Sequence, residues 1–347
     1  MVICSAMRYL LILGLLLTLN QGQLCGQDST KIDMLWYNVE NLFDPFHDTL
    51  KLDQEFTLEG ARHWSWKKME KKIDGICKVL VASGKFEPPL IVGLAEVENR
   101  FVLNRLVYNS PLSKFEYRIV HAESPDFRGI DVALLYRSKR LWLKNSRFIR
   151  SYEFDDHPSR DILYAKFLVD GTDSLHLFLN HWPSKYGGEF ETEQSRNYAA
   201  MVLSQAVDSV LARDSAANIV VMGDFNDEPT NLEVTKILKA RTHLEPQTSE
   251  KKMVNLSLLL YANGLGSHKY QGRWAVIDQV MVSEALLGEY NALRVSLSRC
   301  CVFAAPFLLE PDEDFTGQRP FRTFIGFRYH GGYSDHLPVL LTIQRQY

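Results

Sequence analysis

Cysteine is scarce in this chain, with five in 347 residues. Two of them, Cys4 and Cys25, fall in the first 26 residues. Cys77, Cys300 and Cys301 remain, the last two adjacent. An odd, clustered set excludes a disulfide framework and fits packing better than chemistry. There is no Cys/His set for structural zinc. There is no Gly-x-Ser-x-Gly nucleophile elbow and no glycine-rich phosphate loop. Positive charge is not in excess: 39 Lys and Arg stand against 42 Asp and Glu, a net charge of -3. That balance advertises no general attraction for nucleic acid, and no run of like charge forms a tail. Beyond the N-terminus no apolar run is long enough to cross a bilayer. Internal repeats, low-complexity linkers and composition shifts are also missing, so a single domain over residues 27–347 is expected.

What is present first is an N-terminal targeting pattern. Met7-Arg8-Tyr9 gives a positive start, Leu10 to Leu19 an apolar run, and Asn20 to Gln27 a polar exit. The run is too short for a span and fits a signal peptide over residues 1–26. A mature chain of net charge about -4 outside the cytoplasm, periplasmic or secreted, is therefore expected. A lipoprotein built on Cys25 is the weaker alternative, because Gln23-Leu24 lacks the small residue wanted before it. No protein partner is expected, and the chain is read as a monomer.

The rest has an ordinary globular composition, 46% hydrophobic and 23% charged. Buried strands are expected at Ile32 to Tyr37, Leu90 to Ala95, Tyr117 to Ala122, Asp131 to Arg137 and Leu141 to Ile149. Leu163 to Val169 and Leu175 to Leu179 read as a hairpin turning at Asp170-Gly171-Thr172-Asp173. Further strands are expected at Val220 to Met222, Ile277 to Val282 and Leu337 to Ile343. Trp66, Met69, Ile73, Ile76, Cys77 and Leu80 have helical spacing behind Ser65 as N-cap. A second helix is expected from near Thr192 to Leu211. Residues 306–333 read as a long loop. Strands outnumber helices and helices sit between strands, which implies an α/β protein of two packed sheets with helices outside.

Polar residues gather where these strands end. They are Asn38, Glu96 with Glu98, Asp131, Asn180 with His181, Asp224 with Asn226, Asp278, and Asp335 with His336. In Val220-Val221-Met222-Gly223-Asp224-Phe225-Asn226-Asp227, a spacing of two puts Asp224 and Asn226 on one side of an extended segment, with Phe225 turned to a core. Gly, Asp and Asn also favour an Asx-turn there, and each cluster alone is as readily structural. Together they supply carboxylates for a hard cation and histidines for proton work. Metal-assisted hydrolysis of a phosphate ester uses these parts.

The ordered motifs Asn38-Val39-Glu40-Asn41-Leu42-Phe43-Asp44, Leu94-Ala95-Glu96-Val97, Asn180-His181-Trp182-Pro183-Ser184, Met222-Gly223-Asp224-Phe225-Asn226-Asp227 and Ser334-Asp335-His336-Leu337-Pro338-Val339 resemble the endonuclease/exonuclease/phosphatase superfamily, the fold of deoxyribonuclease I. The resemblance runs from Asn38 to the last strand. It implies a four-layer α-β-β-α sandwich, two mixed sheets flanked by helices. It implies a metal at Glu96, with Asn38 beside metal and phosphate, and Asp335 as an occasional further ligand. Asp224 and Asn226 would orient the attacking water. His336 would act as base or phosphate contact, oriented by Asp278. His181 would protonate or stabilise the leaving oxygen, with Asp131 as its paired acid. Arg160 resembles an arginine that touches phosphate, although a surface salt bridge accounts for it nearly as well. Mg²⁺, or Mn²⁺, is the implied cofactor, since the ligands are oxygens.

Arg322 and Tyr270 lie in basic, aromatic segments leading to Asp335 and Asp278. They are candidate substrate contacts, suited to single-stranded nucleic acid, to a phosphorylated sugar or to a lipid head group. Packing under a long loop would explain the aromatics as well. The expected activity is a metal-dependent phosphodiesterase or nuclease. The alternatives are a phosphatase or sphingomyelinase-like hydrolase of a small phosphoester, and a non-catalytic binding module.

Overall fold

The computed structural model describes residues 30–346 apart from 154–157, 186–187, 244 and 246–252. The expected signal peptide and Cys25 lie outside the described residues. Along the chain come β1 (Lys31–Leu42), helix α1 (Trp66–Ser83), β2 (Ile91–Val97), α2 (Arg100–Tyr108), β3 (Tyr117–Val120), β4 (Asp131–Arg137), β5 (Leu141–Ile149), β6 (Ile162–Val169) and β7 (Asp173–His181). Then follow α3 (Glu189–Leu211), β8 (Asn218–Asp224), β9 (Ala240–Arg241), β10 (Met253–Asn255), α4 (Ser257–Ala262), β11 (His268–Tyr270), β12 (Arg273–Ala275) and β13 (Asp278–Ser283). The last are β14 (Leu293–Arg294), β15 (Cys300–Val302), β16 (Leu309–Pro311), β17 (Gln318–Pro320), β18 (Phe324–Ile325), β19 (Arg328–Tyr329) and β20 (Val339–Arg345).

Two seven-stranded sheets carry the fold. One runs β14-β20-β1-β2-β4-β3, with β15 also on β20; the other runs β5-β6-β7-β8-β13-β10-β9. Both are mixed: β1 pairs parallel with β2 and β7 with β8, while β2–β4 and β8–β13 are antiparallel. The period of two decides the layers. On β1, Met34 and Trp36 enter the core between the sheets, where they share a cluster with Leu177, Leu179, Val220, Met222 and Val280. The alternate residues Leu35, Tyr37 and Val39 face out and pack with Met69, Ile73, Ile76 and Leu80 of α1 and Leu106 of α2. On the second sheet, Phe178, Val221 and Met281 face Leu203 and Val207 of α3. Strands covered on both faces read as unbroken apolar runs for this reason. The result is the four-layer α-β-β-α sandwich.

Ser65 caps α1, accepting from Lys68 N at 3.4 Å. The β6–β7 turn uses Asp170 and Gly171, both with positive φ (47° and 85°), a conformation suited to such a tight connection. Three expectations change. Helix α2, capped by Asn99 over Phe101 N and Val102 N, was not evident in the apolar pattern. Helix α3 starts at Glu189, ahead of Thr192. The 306–333 loop contains two short hairpins, β16–β17 and β18–β19. Strands of two or three residues are too short for alternation to show.

Candidate active site

The strand register assembles the site. His181 ends β7 opposite Asp224, the last residue of β8, and Asp224 stands opposite Asp278, the first of β13. One row across the second sheet therefore presents imidazole, carboxylate and carboxylate. The first sheet brings Asn38 on β1, opposite Ala95 beside Glu96 on β2. Two hydrogen bonds tie the sheets together here. Asn38 Nδ2 donates to Asp224 Oδ2 at 3.1 Å. Trp36 Nε1 donates to Asp278 Oδ1 at 2.8 Å.

Asp278 is fully buried. Its Oδ2 accepts from Ser267 Oγ at 2.6 Å and faces His336 Nδ1 at 2.7 Å. Burial would lower the His336 pKa, but Asp278, backed by Asp224 and Asp335, outweighs it and raises the value well above normal. The imidazolium Nε2 is 3.8 Å from Asp224 Oδ2. Burial first, and the charge of Asp278 second, push the Asp224 carboxyl up to about 7.

Asp224 and Asn226 do share a site, but not by strand alternation alone. Asn226 has φ 50°. Its amide N–H donates to Asp224 Oδ1 at 2.9 Å, an Asx-turn at the strand end, and its Nδ2 donates to Trp182 O. Phe225 packs edge-on against Trp182 in the core, as its position requires.

His181 Nε2 faces two carboxylates, Asp224 Oδ2 at 3.7 Å and Glu96 Oε1 at 4.0 Å. Its buried Nδ1 has no hydrogen-bond partner among the described residues. Burial, then Arg160 and Arg128, lower its pKa well below normal, so the ring is neutral. Nε2 is the ring nitrogen that faces the carboxylates, at distances longer than a hydrogen bond.

The expected Asp131–His181 pair does not form. Asp131 Oδ2 faces His121 Nε2 at 3.1 Å, and its Oδ1 accepts from Ser124 N at 2.7 Å. With both oxygens engaged beside its own strand, Asp131 orients His121 and the 121–130 segment instead. Arg160 is not a surface residue either. It is buried, with Nη1 on Asp126 Oδ2 at 3.0 Å and Nη2 on Trp182 O at 2.6 Å. It sits behind His181 as a fixed positive charge.

On the other flank, β1 bulges between Asn38 and Leu42, and β2 between Ala95 and Val97. Glu40, Asn41 and Glu96 occupy the left-handed region there, with φ 52°, 60° and 62°. Each such non-glycine residue costs about 1–2 kcal/mol, a strain typical of functional sites. The bulges let Asn41 N donate to Glu96 Oε2 at 3.0 Å. They also turn the Glu40 carboxylate under the 320–335 segment, where it accepts from Arg322 Nε and Thr323 N. Arg322 reaches on to Asp335 Oδ2 at 2.9 Å. Burial works against the charge on Asp335, yet Arg322 first and His336 next bring its pKa down to about 2. Tyr270, 67% exposed, ends β11 with its hydroxyl accepting from Gln271 Nε2 at 3.5 Å.

A family model described as the Endonuclease/Exonuclease/phosphatase family matches residues 33–345. The chain belongs to the endonuclease/exonuclease/phosphatase family. As a member it is a metal-dependent hydrolase acting on phosphoester bonds. Solved structures share its fold. A Bacteroides thetaiotaomicron endonuclease/exonuclease/phosphatase family protein has TM-score 0.56 at 15% identity, over 90% of this chain and 98% of that one. The human Nocturnin catalytic domain with bound sulfate has TM-score 0.53 at 18% identity, over 91% and 95%. D. rerio TDP2 complexed with single-strand DNA product has TM-score 0.53 at 14% identity, over 90% and 98%. No curated protein sequence matches the chain.

An endonuclease/exonuclease/phosphatase family member needs a place for a divalent cation. Among the described residues two groups bring three ligating atoms within 4.8 Å of one another: Asp224, Asp278 and His336, and His268, Asp335 and His336. The first is filled by its own hydrogen bonds, since both Asp278 oxygens already accept from Trp36, Ser267 and His336. Glu96 stands outside both groups but keeps Oε1 free of any hydrogen-bond donor among the described residues. Its oxygen, with Asp335 Oδ1 and with Asn38 Oδ1, which also accepts from Glu40 N at 3.0 Å, is of the ligand type that fits a hard cation.

Several contributors were not visible in the sequence. Trp36 and Ser267 clamp Asp278. The His268 ring lies against His336, with centroids 4.8 Å apart. Lys72, buried on α1, donates to Thr323 Oγ1 and Tyr333 O beneath Glu40. Each looks like an ordinary strand or helix residue, and only the partner across the fold gives it a role.

Proposed function

We propose that this enzyme is a Mg²⁺- or Mn²⁺-dependent phosphodiesterase acting on nucleic acid. The observation that carries the reading is the buried Asp278–His336 pair aimed at Asp224, with His181 on the same strand row. Glu96, with Asn38 and Asp335, would hold the cation, which would neutralise phosphoryl oxygens and acidify a bound water. His336 enters charged, so it donates to a phosphate oxygen rather than taking a proton. Asp224, with its carboxyl near neutral pH, is suited to accept the proton of the attacking water. Asn226 and Asn38 hold that carboxylate in place. His181 enters neutral, so its Nε2–H contributes a hydrogen bond as charge grows on the leaving oxygen. The N-terminal apolar run supports an extracytoplasmic location.

The small-phosphoester reading draws on a different observation. The β16–β17 hairpin carries Glu310, Asp312, Glu313 and Asp314, and Lys269, Arg319 and His330 pair with all of them but Glu313, so this hairpin offers no surplus positive charge to a long polyanion. A screen of plasmid DNA, RNA, bis-nitrophenyl phosphate, inositol phosphates and sphingomyelin, with and without Mg²⁺, separates the two. Metal-dependent cleavage of DNA or RNA and of the nitrophenyl diester supports the proposal. Hydrolysis confined to inositol phosphates or sphingomyelin overturns it.

A further inference from the structure

We infer that helix α1 and the β18–β19 hairpin form a basic track that carries a single-stranded nucleic acid into the site; this rests on the phosphodiesterase reading. The chain as a whole is slightly acidic, so a polyanion must be drawn by local charge. Lys67, Lys71 and Lys78 recur at positions that share a face of α1, and all three are exposed. Arg328, exposed on β19, adjoins Tyr329, whose ring lies against Lys68 and Lys71 of α1. None of these four pairs with a carboxylate among the described residues. Glu70 is taken by Arg105 at 2.5 Å, and the one acid of α1 that shares the lysines' face is Asp74, three residues from Lys71 and four from Lys78, so three cations stand there against one carboxylate.

The track is joined to the site. Lys72, one residue from Lys71, is buried and anchors Thr323 and Tyr333. Gly331 lies against Lys71, where an added Cβ would come within 2.8 Å of Nζ. The segment between Thr323 and Tyr333 thus lies on α1, with Arg322 at one end and Asp335 and His336 at the other. Aromatic rings interleave with the charges. Lys68 and Lys71 lie 4.8 and 5.6 Å from the Tyr329 centroid, and Phe327 is 62% exposed. Cations that track a backbone beside exposed rings that accept bases are what a single strand requires.

The test uses the full chain in EDTA, which stops cleavage, with a fluorescein-labelled single-stranded oligonucleotide and anisotropy as readout. Lys67→Glu/Lys71→Glu/Arg328→Glu touches only exposed side chains and leaves Lys68 and Lys78 in their ring contacts. Its affinity is expected to fall about 10-fold or more, with a salt slope flatter by about 2 for three lost phosphate contacts. The corresponding Gln triple should show a smaller loss in the same direction. Hydrolysis of bis-nitrophenyl phosphate with Mg²⁺ should be unchanged in both, which also shows that they fold. Wild-type affinity in the Glu triple, or no binding by wild type, overturns the track and leaves the phosphodiesterase reading standing if diesters are cleaved. Capture by phosphatidylserine vesicles without oligonucleotide binding also overturns it, assigning the face to a membrane. Failure of wild type to cleave any diester overturns the underlying reading instead.

Discussion

His336 Nδ1 lies 2.7 Å from Asp278 Oδ2, and the other Asp278 oxygen is held by Trp36 Nε1 at 2.8 Å. A carboxylate with every oxygen committed cannot swing, so it fixes the tilt of the ring and holds its positive charge in place. The pair also spans the sandwich: Trp36 belongs to one sheet, Asp278 to the other.

His336→Ala is expected to lower turnover by about 10²–10³-fold, the loss that follows removal of one hydrogen-bond donor to the transition state. Asp278→Asn should cost less, because the ring remains. Added to His336→Ala, Asp278→Asn should then cost little more in kcat, since both act through one group. Independent, multiplying losses would show that Asp278 acts elsewhere. Both side chains are buried, so each variant also loses some thermal stability, which a melt records separately.

Asp131→Asn provides the contrast. Asp131 serves His121 and Ser124 rather than His181. The variant should melt lower, while kcat on a small diester stays within about threefold of wild type, far from the loss that removal of a general acid–base group brings. A loss of two orders of magnitude would return Asp131 to the reacting centre.

Chelation with EDTA should abolish hydrolysis, and Mg²⁺ or Mn²⁺ should restore it. Glu96→Gln should raise the metal concentration for half-maximal activity by about 10-fold or more, because an oxygen ligand loses its charge. Full activity in EDTA would refute the assignment of the cation to Glu96.

Glu98, buried two residues on, should report on pH. Burial first, then Asp44, Asp53 and Asp48, raise its carboxyl to about 9, although Asp44 N donates to it. The folded state therefore prefers the neutral acid. Below the unfolded pKa of about 4.3 both states are protonated and there is no penalty. Between that value and about 9 the unfolded chain ionises and the folded one does not, so stability falls as pH rises. Glu98→Gln keeps the acceptor for Asp44 N and removes the penalty. It should raise the melting temperature more at pH 8 than at pH 5; an equal gain at both would disprove the linkage.

Arg196 and Asp227 test a buried charge in the site's support. Arg196 Nε is 2.8 Å from Asp227 Oδ2, and both side chains are shielded. Arg196→Met should destabilise by about 3 kcal/mol, at the low end for a broken buried pair, because Lys185 Nζ at 3.1 Å still faces the carboxylate. Urea unfolding measures this; a change below about 1 kcal/mol would make the pair dispensable.

The sequence by itself determined the sandwich and most of the cleft. Long runs such as Ile162–Val169 and Asn218–Asp224 state their burial through continuous apolar residues. The polar residue that interrupts each run marks a strand end at His181, Asp224 and Asp278 and a bulge inside the strand at Asn38 and Glu96, which is why these five could be picked out. Tertiary structure alone decided the partners. Asp131 and Asp278 look alike in sequence, each beside a strand, yet one meets His121 and the other His336. The short elements around the site, such as β16–β19, also needed the fold, because two or three residues carry no period. Pairing is a matter of distance between segments far apart in the chain, as with Trp36 and Asp278 or Lys72 and Thr323. Local pattern records which face a residue takes, and only closure of the two sheets records what it meets there.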